Sequence, residues 1–296
     1  MIRKNSDTSL MFKGRTKTNR ALKLVLVMMV FLFHTACFKA EPRERDNPEP
    51  AGKAEANTEV VLNDQIQYML ERAEIPPEMV RRVVAAAVEG PSFILDLLMV
   101  LEGDPYLRLL VDKGHSLPPD YEPADLVELT ENSYRVSRPG LLLRRAAAAA
   151  LEEMAAAART EGITLTVSST YRSYAYQEEV YQRNVRELGR EAADRESARP
   201  GHSQHQTGLA VDFGSIDDSF AQTPAGRWLL SNAGRFGWSL SFPDGYEGVT
   251  GYRWESWHYR YVGRELISLI DTYFDGIQQY ALRFIDEWER DPHREF

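Results

Sequence analysis

The sequence predicts an α+β fold: a small, mostly antiparallel sheet flanked by helices, with a helical extension ahead of it. Three observations carry this. Apolar residues recur at helical spacing through most of Val60 to Leu110. Short alternating runs such as Leu209-Ala210-Val211-Asp212-Phe213 read as brief strands. Helical and strand-like stretches then follow one another without a regular strand–helix–strand repeat, which disfavours a parallel α/β sheet.

Taken in order, the chain opens on a targeting segment, expected to be residues 1–36. Arg3, Lys4, Lys13, Arg15, Lys17, Arg20 and Lys23 precede an apolar run from Leu24 to Phe33. That run suits a signal-peptide core and is too short to cross a bilayer. Thr35-Ala36-Cys37 follows, and Cys37 is the only cysteine, so no intramolecular disulfide can form. Small residues before a cysteine at this place predict lipoprotein-type cleavage, with lipidation of Cys37 anchoring the chain to a membrane. His34 stands where such a site usually carries Leu.

Residues 37–58, rich in Pro, Glu, Arg, Asn and Ala, are expected to be a flexible tether. Residues 59–110 form the helical extension, with breaks at Pro76-Pro77 and Gly90-Pro91 and an apolar stripe of Leu62, Ile66, Met69 and Leu70. Residues 111–263 hold the chemistry. Within them we expect an alanine-rich helix from Leu141 to Ala158 ended at Gly162, a strand near Thr164–Ser168, and a helix from Tyr174 to Leu188. A turn at Pro200-Gly201-His202, a helix from Thr223 to Gly234 and a strand from Trp238 to Phe242 follow. Residues 264–296 are expected to be one C-terminal helix, from Arg264 to Trp288.

Lys and Arg number 35 against 44 Asp and Glu, a formal net charge of −9. Because the basic n-region would leave with the targeting segment, the remaining chain is more acidic still. Such a balance argues against nucleic acid and anionic lipid headgroups as partners.

Two separated segments carry metal-ligand residue types. One is Ser203-Gln204-His205-Gln206-Thr207-Gly208-Leu209-Ala210-Val211-Asp212; the other is Glu255-Ser256-Trp257-His258. Two His and one Asp are donors zinc uses while keeping a fourth position open, and a Glu outside the set can move protons. In the first segment the strand places Leu209, Val211 and Phe213 on one face and Gly208, Ala210 and Asp212 on the other. In the second, Glu255 and His258 are three apart, so a regular strand would send them to opposite faces. A bend near Ser256 or a single helical turn resolves this, and the β-formers Tyr259 and Tyr261 favour the bend. Each residue alone also fits a plainer role: His258 sits in an aromatic cluster that would serve a core, and His202 reads as a loop residue rather than a fourth imidazole at the metal. The conjunction is what points to a site.

Ser-x-His-x-x-Gly-x-Ala-x-Asp followed by Glu-x-Trp-His-x-Arg-Tyr-Val-Gly resembles the LAS family of zinc D-Ala-D-Ala metallopeptidases, most closely its VanY-type carboxypeptidases. A third block agrees, Ser168-Ser169-Thr170-Tyr171-Arg172-Ser173-Tyr174 with Gln177, and the likeness runs from about Leu117 to about Gly263. The resemblance implies that His205, Asp212 and His258 bind one zinc ion and that Glu255 is the catalytic base. It further implies that Arg172 steadies the oxyanion, and that Gln177, Ser203 and Trp257 contact the peptide. Where the family usually has Pro, this chain has Ser256, which allows the bend without enforcing it.

The expected function is removal of a terminal D-alanine from peptidoglycan stem peptides by an exported, envelope-located, lipid-anchored zinc enzyme. The rivals are an L,D-carboxypeptidase, a D,D-dipeptidase or an endopeptidase on the same substrate, and a non-catalytic binder of cell-wall peptide.

Overall fold

The computed structural model describes residues 51–292, and side chains from Leu62 onward. The expected targeting segment, Cys37 and the tether up to residue 50 lie outside the described residues. Asn63–His293 form one compact unit, which holds the sheet and the candidate site.

Helix α1 (Ala51–Arg72) begins inside the stretch expected to be a tether, which corrects that expectation for residues 51–58. Ala51, Ala54 and Ala56, with Lys53 and Glu55, are strong helix formers. Helices α2 (Pro77–Glu89) and α3 (Ser92–Glu102) follow, separated at the expected prolines. Proline lacks an N–H and has a fixed φ, so it opens a helix well and continues one badly. Ile66, Leu70, Val83, Phe93 and Leu97 are buried.

Strands β1 (Leu126–Glu128), β2 (Arg135–Val136) and β3 (Leu142–Arg144) lead into helix α4 (Arg145–Thr160). Then come β4 (Thr166–Ser169), α5 (Tyr174–Leu188) and α6 (Arg190–Glu196). Strand β5 (Ala210–Phe213), α7 (Pro224–Asn232), β6 (Trp238–Leu240) and β7 (His258–Tyr261) complete the sheet region. Helices α8 (Arg264–Tyr273) and α9 (Gln278–Arg290) close the chain.

Five strands order as β2-β4-β5-β7-β6, with β1 and β3 in a separate pair. Among the described residues only the β2–β4 pairing is parallel; β4–β5, β5–β7, β6–β7 and β1–β3 are antiparallel. The expected α+β architecture with a mostly antiparallel sheet therefore holds. Two expectations change. Leu142–Arg144 pair with β1 instead of starting α4, because an apolar Leu-Leu run satisfies a strand as well as a helix and its tertiary partner decides. The C-terminal helix is two helices: Asp275 (φ 53°) and Gly276 (φ 75°) sit in the left-handed region and end α8.

The sheet has two unlike faces. Val167, Val211, Phe213 and Tyr259 pack into the core with Leu151 and Met154 of α4 and with Trp238. The opposite face carries Ser169, Asp212, His258, Ser239 and Arg260, brought level by the pairings Ser169–Asp212, Asp212–His258 and Ser239–Arg260. The predicted split of β5 into a bulky apolar face and a small polar one is thus present.

The segment from Leu107 to Tyr121 straps this region down. Arg260, wholly buried, donates from Nη2 to the carbonyls of Leu109 (2.7 Å) and Leu107 (3.2 Å). Gln206 Nε2 donates to the carbonyls of Pro118 and Tyr121, and Leu117 N–H to that of Gly201. Gly201 (φ +85°) is needed here, since a Cβ would lie 2.9 Å from the Leu117 carbonyl oxygen. Asp112 is the knot of the strap. Its Oδ1 accepts from Gly114 N–H, His115 N–H and His115 Nδ1, and its Oδ2 from Gln279 Nε2 of α9 (2.6 Å). Burial pushes the Asp112 carboxyl upward, but the hydrogen bond and charge of His115, with the other donors, hold it below the ordinary value of 3.8.

Asp112→Ala leaves those donors buried without their acceptor, so we expect a loss of about 3 kcal/mol and a fall in thermal midpoint of roughly 10 °C. A depressed folded-state pKa gives stability that is complete above pH 3.8 and lost as pH falls toward the lower folded value. Melting curves of both proteins at descending pH should therefore show the difference shrinking below about pH 4.

Candidate metal centre and active site

His205 lies in a short 3₁₀ turn, Gln204–Thr207, directly ahead of β5. Ser203 starts the turn, its Oγ accepting from His205 N–H, and Gly208 ends it at φ +69°. A Cβ on Gly208 would come within 2.9 Å of Leu126 and 3.0 Å of Arg144, so both the backbone angle and the space require glycine. Asp212 and His258 are register partners on β5 and β7. The bend expected near Ser256 is present as a turn at Ser256–Trp257, with His258 N–H donating to the Glu255 carbonyl (3.2 Å). That turn lets Glu255 and His258 face the same space.

The ligand atoms of His205, Asp212 and His258 lie within 4.8 Å of one another, and all three residues are buried. An ion about 2.1 Å from each donor needs donors roughly 3.4 Å apart, and the observed separations are close to this. His205 Nε2 is 3.2 Å from Asp212 Oδ2, and His258 Nδ1 is 2.9 Å from Asp212 Oδ1. The other ring nitrogens are engaged. His205 Nδ1 donates to the Thr170 carbonyl (2.7 Å), and His258 Nε2 donates to Gln204 Oε1 (3.2 Å), which Ser241 Oγ also approaches at 2.7 Å. These partners leave a lone pair on His205 Nε2 and on His258 Nδ1 aimed at the shared space. Two acceptors 2.9 Å apart repel unless a proton or cation lies between them, so the donor set fits a divalent metal.

Arg172 is fixed through all three guanidinium nitrogens. Nε donates to Ser169 Oγ (3.0 Å), Nη1 to Gln177 Oε1 (3.3 Å), and Nη2 to Asp212 Oδ2 (2.8 Å) and His205 Nε2 (3.2 Å). Gln177 is itself buried and donates to the Ala198 carbonyl (2.7 Å). Glu255 Oε2 lies 3.7 Å from His258 Nδ1. Arg253 pairs with Glu196 and Asp218, both at 2.6 Å, and its guanidinium covers the Trp257 ring at 5.1 Å.

The electrostatics follow from burial and crowding. Burial, then the Arg172 charge, lowers His205 to about 4, so its imidazole is neutral at ordinary pH. Burial alone would raise Asp212, but the His205 and His258 rings hold it well below the carboxylate range. Burial and the Asp212 charge push Glu255 up to about 8. A carboxyl tuned toward neutrality suits proton transfer in both directions.

All eight residues singled out from the sequence, namely Arg172, Gln177, Ser203, His205, Asp212, Glu255, Trp257 and His258, line one cleft of about 390 Å³. His202 also lines it, but its Nδ1 donates to the Asp112 carbonyl and it stands outside the metal-ligand group. Sequence reasoning missed Gln204, Ser241, Arg253 and the Thr170 carbonyl. Gln204 has a visible signal, a polar side chain beside His205 in the motif; a backbone carbonyl has none.

Residues 140–264 match the family model described as VanY: D-alanyl-D-alanine carboxypeptidase, a range that contains all eight. The chain is 35% identical over 193 residues to YodJ of Bacillus subtilis (strain 168), which carries a provisional carboxypeptidase name; the match covers 63% of this chain and 71% of that protein. Among solved structures, the LdcB LD-carboxypeptidase matches with a TM-score of 0.53 at 33% identity, over 60% of this chain and 85% of the other. A variant of the vancomycin-resistance D,D-pentapeptidase VanY, solved in complex with Zn(II), matches with a TM-score of 0.51 at 30% identity, over 60% and 98%.

With a pKa near 8, Glu255 holds its proton at pH 7 in the metal-free chain. A dication beside it favours the carboxylate, so metal binding should release that proton. Calorimetric titration of the metal-free protein in buffers of different ionisation enthalpy should show it, and Glu255→Gln should release about one proton fewer.

Proposed function

We propose, from the premise that this chain belongs to the VanY family of D-alanyl-D-alanine carboxypeptidases, that it removes the terminal D-alanine from peptidoglycan stem peptides at the cell envelope. The observation that carries this reading is the convergence of three buried donors with Glu255 and an anchored Arg172 in one cleft.

His205 through Nε2, Asp212 through its carboxylate and His258 through Nδ1 would hold one zinc ion. Zinc would supply Lewis acidity and bring water within reach of deprotonation near neutral pH. Glu255, its carboxylate form favoured once the ion is bound, takes a proton from the attacking water and returns it to the amine of the departing D-alanine. Arg172 faces the same space with its orientation set by Ser169 and Gln177, so it can donate to the oxyanion of the tetrahedral intermediate without reorganising. Gln177 holds Arg172 from below, Ser203 holds the turn bearing His205, and Trp257 walls the cleft under Arg253. The likeness to LdcB favours one alternative, cleavage of an L,D bond in a tetrapeptide stem by the same groups.

The reading extends to the N-terminus. The basic n-region, the apolar run and Cys37 support export followed by lipid anchoring, which brings the enzyme to the wall. Substituting Cys37→Ala should abolish fatty-acid labelling and move the protein from the membrane to the soluble fraction; retained label would refute lipidation at this residue.

Digestion of purified muropeptides, read by product mass, tests the reaction. Pentapeptide stems should become tetrapeptides with release of D-alanine. In the same assay Glu255→Gln should keep its metal and be slower by roughly 10²- to 10⁴-fold. Trimming of tetrapeptides instead would move the assignment to the L,D reaction, and metal binding without any cleavage would leave only a binder.

A further inference from the structure

The cleft continues past the metal centre along one face of α5. Gln177, Val180, Arg183, Asn184 and Leu188 line it, spaced as neighbours on a helix. Arg138, on the loop after β2, lines it from a second element beside Ser168 and Ser169. Arg138 and Arg183 are exposed, and neither has a hydrogen-bond or ion-pair partner among the described residues.

That is unusual within this molecule. Acidic residues outnumber basic ones, 44 to 35, and the other two arginines of the cleft are engaged: Arg172 with Asp212, Arg253 with Glu196 and Asp218. The cleft's own carboxylates are also spoken for. Asp212 faces the two imidazoles, Glu196 is held by Arg253, and Glu255 lies beside the His258 ring with Oε2 3.7 Å from Nδ1. Two uncommitted guanidinium groups therefore stand on cleft walls with no protein anion assigned to them.

Their distance from the chemistry restricts what they can meet. Gln177 holds Arg172, so it marks the reacting carbonyl; Arg183 is six residues on, about 9 Å along the helix. An extended peptide advances roughly 3.3–3.6 Å per residue, so this is a span of two to three residues. A carboxypeptidase has a single residue on the leaving side, so a subsite that far away serves the portion N-terminal to the bond cut. Guanidinium groups recognise carboxylates through paired N–H donors.

We propose that Arg138 and Arg183 form a carboxylate-recognition subsite, which selects peptides bearing an acidic group two or three residues N-terminal to the scissile bond. The proposal rests on the carboxypeptidase reading above and adds a specificity to it.

The test compares two peptides ending in D-Ala-D-Ala that differ only by Glu or Gln at each of those positions, cut by the full chain loaded with zinc. Wild type should favour the Glu peptide by about tenfold in kcat/KM, expressed in KM, with the preference shrinking as salt is raised. The Arg138→Gln, Arg183→Gln pair of substitutions should bring the two kcat/KM values together. Equal cleavage of both peptides by wild type, or a preference that survives in the double variant, would overturn the subsite while leaving the carboxypeptidase reading intact. Failure of wild type to cut either peptide would overturn that reading, and the subsite with it.

Discussion

Residues paired across antiparallel strands point to the same side of a sheet, and here the pairing of Asp212 with His258 sets two donors 2.9 Å apart. A slip of one residue between β5 and β7 would turn one of them into the apolar layer of Val211, Phe213 and Leu151. Much of the surrounding structure can be understood as holding that register. Gly208 allows β5 to start close against Leu126 and Arg144, and the turn at Ser256–Trp257 starts β7 at His258 while leaving Glu255 within reach. Gln204 and the Thr170 carbonyl then fix which edge of each imidazole faces inward.

The parts legible in the sequence were those with a periodic or compositional signature. Alternation in Leu209–Phe213 gave the two faces of β5, and the three-residue gap between Glu255 and His258 demanded the bend that the turn supplies. Prolines located the starts of α2 and α3. What escaped was decided by contacts between distant segments. Leu142–Arg144 is a strand because β1 lies beside it. Asp275 adopts φ 53° although its sequence gives no such instruction beyond the Gly that follows. The site was readable as a list of residues, whereas the function of Gln177 was not: its buried amide braces Arg172 and the 197–198 loop, a role visible only once both partners are placed.

The polar face of the sheet poses a second problem, since it must be covered without being filled. The strap from Leu107 to Tyr121 covers one part, using carbonyl groups to receive Arg260 and Gln206. Asp112 ties the strap to α9 through Gln279 and, by its carbonyl, to the His202 ring at the cleft edge. Helices far from the metal centre in sequence thereby contribute to its shape, and the remaining part of the face is left open as the cleft.

Arg260 joins groups separated by 153 and 151 positions in the chain. During synthesis the strap emerges long before the strand that carries its partner. Neither side can be dehydrated alone, because a lone guanidinium and lone carbonyls hold their water tightly. The native strap contacts therefore have to wait until the β7 strand is present, which gives the chain a late, long-range closing step. Until β7 has been made, the carbonyls of Leu107 and Leu109 keep their water, so the strap cannot close over the polar face of the sheet before its last-made partner arrives.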